Sequence, residues 1–194
     1  MRREFQRLAA HDVNHVAPAQ FNEENYFALF GLPAHFAVDM GLLRERFHEL
    51  QRALHPDRYA RATEAERRAS VLLAARVNDA YGMLRNPLER ARYLLRLQGI
   101  DIAELDRARP PDAFLQMQLE WRESLDEARA TRDRQTLFGL TSRVLDATDH
   151  RYDELAAALA QQRCADATLL ATELQFLERL NTTIAAAIDD MDIR

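Results

Sequence analysis

Apolar positions recur at helical spacing along most of the chain. Within VDMGLLRERFHELQRALHPD, residues Leu43, Phe47, Leu50 and Leu54 follow at i, i+4, i+7 and i+11, one stripe of a helix. Arg44, His48, Gln51, Arg52 and His55 fall on the adjacent stripe, and Glu45 and Glu49 lie beyond it. The helix therefore offers a greasy face to a core and a separate cationic face to its surroundings. Asp39 stands where an N-cap belongs, and Pro56 ends the helix, because residues before proline avoid the helical region. Upstream, NYFALFGLP gathers Tyr26, Phe27, Leu29 and Phe30 into one or two turns limited by Gly31 and Pro33. Downstream, a long loop is predicted over DRYARATEAERR, with Thr63 and Glu66 at capping-box spacing. The next helix, AERRASVLLAARVNDAYGMLRN, has Val71, Leu72, Ala75, Ala80, Tyr81 and Leu84 as core candidates. Asn86-Pro87 reads as the start of a fourth helix that Gly99 stops.

The same periodicity continues beyond Pro110-Pro111. PDAFLQMQLEWRESLDEARA supplies Phe114, Leu115, Leu119, Trp121, Leu125 and Ala128 to two partly different faces. A second long run follows, then a third in which Leu170, Leu174, Leu177, Leu180 and Ile184 keep helical spacing. Antiparallel packing of the three gives a three-helix bundle. The predicted class is all-α: a leader at 1–22, a helical unit at 23–99, a connection at 100–111 and a bundle at 112–194.

Composition agrees with helices. Of 194 residues, 47% are hydrophobic and 29% charged, while Gly and Pro number only 5 and 6. Every one of the 26 cations is Arg. Charge divides at the same boundary: net +1 over 1–22, +2 over 23–99 and −8 over 100–194, for −5 in all. Nucleic-acid binding would want a net basic surface, which this balance argues against. No apolar run approaches the ~20 residues of a membrane span. The N-terminus lacks the apolar core of a secretory signal, and Glu4 and Asp12 argue against a transit peptide despite Arg2, Arg3 and Arg7. The expectation is a cytoplasmic protein with a short, loosely ordered leader.

Little in the chain suggests catalysis or a cofactor. The single Cys164 excludes an internal disulfide framework and leaves no cluster for zinc or iron–sulfur ligation. His11 and His15 in HDVNH have the i, i+4 spacing of metal-binding helices, but no third ligand is in view. No phosphate-binding G-x-x-x-x-G-K-[ST] exists, which argues against ATP binding by this chain. His55 and Asp57 would suit acid–base chemistry only beside a nucleophile, and the local motif has none.

The triplet His55-Pro56-Asp57 stands at the head of the tip loop. A tripeptide alone is a weak signal, and a charged helical face is most often simply solvated. The context is stronger. A basic face leads into the triplet, a proline fixes its shape, and a long helix returns beside it. With NYFALFGL before it and VNDAYGML after it, LLRERFHELQRALHPDRY resembles the J-domain, whose triplet lies between its second and third helices. YLLRLQGID, FLQMQLEWRESLDEA and ELQFLERL extend the resemblance over about 24–190, to the HscB-type co-chaperones of iron–sulfur cluster assembly. Eukaryotic members carry an N-terminal Cys-rich zinc segment; this chain has none and resembles the bacterial type.

That resemblance implies two partners and no enzymatic activity or cofactor of the chain's own. The first is an HscA-class ATP-dependent chaperone, whose ATPase the J-domain stimulates through His55, Pro56 and Asp57, with Arg44, Arg52 and Arg58 alongside. The second is the iron–sulfur scaffold IscU, bound in the family by an apolar patch of the bundle. Leu115, Leu119 and Phe176 match it, with Glu120, Arg122 and Glu123 around them, and are expected to stand exposed rather than fill the bundle. Two departures stand out. The Lys residues common on the family's basic face are Arg here, and Gln116 occupies the position after Leu115 where the family often has Met, with Met117 following. The competing expectation is a helical assembly protein in which the triplet is incidental.

Overall fold

The computed structural model describes residues 25–60, 62–101 and 107–192. The leader 1–22, with His11 and His15, and residues 102–106 of the connection lie outside the described residues. The described secondary structure is helical throughout: α1 (Tyr26–Leu29), α2 (Met40–Ala53), a 3-10 turn (Pro56–Tyr59), α3 (Glu64–Arg85), α4 (Pro87–Leu97), α5 (Asp112–Thr131), α6 (Arg134–Ala160) and α7 (Cys164–Asp192). By packing, the described residues up to Ala34 and from Val38 to Asn86 form one unit, and His35–Ala37 with the described residues from Pro87 onward form the other.

Local chemistry accounts for the helix ends. The Asp39 carboxylate accepts from the N–H groups of Gly41 and Leu42 at 2.9 and 3.0 Å. Thr63 and Glu66 close a reciprocal capping box at the head of α3. Gly99, at φ +89°, follows α4, and the Ile100 N–H reaches back to the Leu95 carbonyl at 3.1 Å. Two later ends use the same left-handed turn without glycine, Arg132 at φ 56° and Gln162 at φ 57°. A side chain in that region is strained. Replacing both by Gly is expected to raise the thermal midpoint by roughly 1–4 °C, from about 0.5–1 kcal/mol relieved in all. No rise in calorimetry would show that the two corners are unstrained.

In the first unit α2 and α3 pack as a hairpin, with α1 against α3. Leu43, Leu54, Val77, Ala80 and Leu84 are buried between them with Phe27, Phe30 and Leu32. Phe47 stacks on Tyr81 with ring centroids 4.0 Å apart. Two expectations change here. Val71 and Leu72 are 62% and 72% exposed and Ala75 is also exposed; α3 buries Ala80 and Leu84 as expected, with Ser70 and Val77 taking the place of the other three. The tip loop is also shorter than predicted, because Pro56–Tyr59 coils into the 3-10 turn and α3 begins at Glu64.

The second unit is built on the antiparallel pair α6 and α7, with α5 packed chiefly against α6 and α4 against α7. Its core gathers Phe114, Trp121, Leu125, Leu137, Leu140, Val144, Leu177, Leu180 and Ile184. Helix α4, read from sequence as closing the first unit, thus packs with the bundle and buries Leu88, Ala91, Tyr93, Leu94 and Leu95. Phe36 belongs here too: its ring stacks on Tyr152 and lies under the Arg90 guanidinium at 5.0 Å. Burial, then the hydrogen bond it donates to Glu178, pushes the Tyr152 phenol well above its ordinary range. Glu173 is buried and meets Arg151 at 2.5 Å; burial raises its pKa and Arg151 opposes the rise.

Candidate functional site

The triplet emerges where α2 stops. Leu54 caps the helix, His55 is extended, and Pro56 takes the first position of the 3-10 turn, where a missing N–H costs nothing. His55 caps that turn: its Nδ1 accepts from the Asp57 backbone N–H at 3.3 Å, and its carbonyl accepts from the Arg58 N–H at 3.0 Å. With Nδ1 accepting, the ring proton sits on Nε2, which leaves an outward donor. Nδ1 also lies 3.4 Å from Asp57 Oδ2, a contact that becomes an ion pair only when the imidazole is protonated. The Asp57 side chain is 90% exposed. A carboxylate on a proline-stiffened turn, facing solvent, is prepared to accept charge-assisted hydrogen bonds from outside the molecule.

Arg44, Arg52 and Arg58 are exposed. Arg52 folds back so that its Nε donates to the His48 carbonyl at 3.2 Å, which fixes part of its side chain. Beside the triplet lies a groove of about 730 Å³ lined by His48, Gln51, Arg52, Leu54, His55 and Pro56 on one side and Ala74, Val77 and Asn78 of α3 on the other. Asn78 was missed in sequence: its Oδ1 accepts from Gln51 Nε2 at 3.4 Å, an exposed contact between the two helices that line the groove. The i+27 separation of that pair leaves no local signal.

The second candidate patch straddles α5 and α7. Leu119 is 59% exposed. Leu115 is half-buried, and so is Phe176, whose ring meets buried Phe114 edge-on at 5.8 Å and packs against the core. The expectation of three exposed side chains thus changes to one exposed and two that bridge core and surface. Arg122 covers the Phe176 ring at 5.4 Å, while Glu120 and Glu123 are exposed. Leu115, Arg122 and Phe176 share a groove of about 570 Å³ with Gln118, Gln175 and Arg179. Its lining mixes the apolar Leu125 and Leu180 with polar and charged side chains such as Asp126, Arg129 and Thr183.

Among the described residues, no group of three or more His, Cys, Asp or Glu side chains could hold a metal ion. No helix among them is long and apolar enough to cross a membrane.

Known proteins share this arrangement. A family model described as the HSCB C-terminal oligomerisation domain matches residues 110–185. The co-chaperone protein HscB homolog of Ralstonia nicotianae is 44% identical over 174 residues, covering 87% of this chain and 97% of that protein. The corresponding Chromobacterium violaceum protein is 42% identical over 172 residues, covering 88% and 97%. Among solved structures, chaperone HscB from Vibrio cholerae superposes with a TM-score of 0.77 at 37% identity, covering 87% of this chain and 99% of that one. Human co-chaperone protein HscB superposes at 0.80 with 27% identity, covering 91% of each.

Proposed function

The chain belongs to the HscB family of J-type co-chaperones of iron–sulfur cluster assembly, and on that premise we propose that it stimulates the ATPase of an HscA-class chaperone and delivers the scaffold IscU to it. The observation that carries this reading is the Asp57 carboxylate, 90% exposed on a turn that Pro56 stiffens and His55 caps. Such a group accepts hydrogen bonds from a partner cation, and a stiff turn has little entropy left to lose on docking. His55 offers Nε2–H beside it. Arg44, Arg52 and Arg58 form the electrostatic approach. The chain itself performs no hydrolysis in this scheme: it changes the rate of a reaction whose nucleotide sits on the partner, in the cytoplasm. The patch of Leu115, Leu119 and Phe176, with Glu120, Arg122 and Glu123 around it, takes the scaffold.

The test is the chaperone's steady-state ATPase rate with and without this protein and the scaffold. Stimulation by this protein, enlarged when the scaffold is added, is expected; no stimulation under any combination overturns the assignment. The basic approach has its own signature. Arg44→Ala with Arg52→Ala is expected to weaken chaperone association about 10-fold or more. The wild-type affinity should fall as salt rises from about 50 to 300 mM, because exposed charges are screened within roughly 10 Å at moderate ionic strength. An affinity independent of salt, measured by titration calorimetry, would remove the electrostatic approach from the scheme.

A further inference from the structure

Helix α6 carries an apolar stripe that neither docking surface uses. Phe138 and Leu145 are 54% and 46% exposed, and at i, i+7 they share one face. Arg134, four positions before Phe138, and Asp149, four after Leu145, continue that face, and both are exposed. The Arg134 guanidinium lies 5.8 Å from the Phe138 ring centroid. Read along the helix, the stripe runs cation, aromatic, aliphatic, anion over about 22 Å.

That order is its own complement when reversed. Turned end over end about the point between Thr141 and Ser142, the stripe sets Phe138 against Leu145 and Arg134 against Asp149, each pairing occurring twice. We infer that this face of α6 pairs antiparallel with the same face of a second copy of the chain, about a two-fold axis through Thr141 and Ser142. The contact is isologous, the kind that closes on itself rather than growing into a fibre. The Thr141 hydroxyl beside the axis is already satisfied: it donates to the Leu137 carbonyl at 2.9 Å. The stripe also falls inside residues 110–185, the segment whose family model is described as an oligomerisation domain. One helical face per copy buries less than the ~1,200 Å² of a standard interface, so the pair is weak, with a dissociation constant on the order of 100 µM.

Sedimentation of the full chain from about 10 µM to 1 mM tests this at low salt, with circular dichroism as the check on folding. The mass average of the wild type is expected to climb toward that of a dimer, and Leu145→Arg to hold it at the monomer. Arg134→Asp or Asp149→Arg alone should weaken pairing about 10-fold or more. The two together in one chain should regain it, because the reversed charges again face each other. A wild type still monomeric at 1 mM overturns the proposal, as does a double reversal that fails to regain pairing while remaining folded. Loss of scaffold binding in Leu145→Arg, with a monomeric wild type, would reassign the face to the scaffold. The ATPase assay is scored separately, so failure here leaves the co-chaperone reading to its own test.

Discussion

Asp57→Asn is expected to reduce chaperone ATPase stimulation by roughly 10–100-fold while leaving the melting temperature and scaffold binding where they were. The substitution keeps the size and shape of the side chain and removes only its charge. Nothing in the fold depends on that charge: the side chain is 90% exposed, and the turn is closed by a backbone N–H that Asn also supplies to His55. An exposed change of this kind usually moves stability by no more than about 0.5 kcal/mol. A hydrogen bond to a charged group is worth about 1.5–3 kcal/mol, and each 1.4 kcal/mol is tenfold, which sets the size of the loss. His55→Gln should behave similarly, since its ring is exposed and its cap spans two residues. A co-chaperone that stimulates normally with either substitution would make the triplet incidental. Melting in both variants would make it structural.

The apolar patch should split in two. Leu119→Ala is expected to weaken scaffold binding by about 2 kcal/mol or more, roughly 30-fold, with no change in melting temperature, because the side chain already stands in solvent. Phe176→Ala should also lose binding but lower the melting temperature by roughly 4–10 °C. Its ring packs edge-on against Phe114 inside the core and supports Arg122 above it. Removing a buried Phe costs about 3–5 kcal/mol, and this half-buried one falls toward the low end. Scaffold affinity and thermal melting measured on one preparation decide the matter. If Leu119→Ala binds as tightly as wild type, the patch is misplaced.

The difference between those two side chains marks what the sequence could convey. Signals that act within a turn or two were legible: the Asp39 cap, the Thr63–Glu66 box, the stop at Gly99 and the proline that frees Asp57 each depend on neighbours a few residues away. The facing of α3 was legible at Ala80 and Leu84 but not upstream, because Val71, Leu72, Leu73, Ala74, Ala75 and Val77 put apolar surface almost all round that half of the helix. There only the partners across the hairpin choose Ser70 and Val77 as its inner side. The same holds for the pairing of half-buried Arg151 with buried Glu173, 22 positions apart on different helices, and for the half-burial of Phe176 against Phe114. The left-handed corners at Arg132 and Gln162 carry no glycine to announce them. The helical positions of the candidate residues were legible; how far each is committed to the core depended on contacts remote in sequence.

Phe36 gives the chain a timetable. It lies between two helices of the first unit, yet its packing partners are Arg90 and Tyr152. On a ribosome adding about 5–20 residues per second, the 116 positions from Phe36 to Tyr152 take roughly 6–23 s to appear. Through that interval the helices on either side of Phe36 can form, while the ring itself has no bed to lie in. The second unit therefore closes on a ring made near the start of the chain, and that contact is complete only once Tyr152 has left the tunnel.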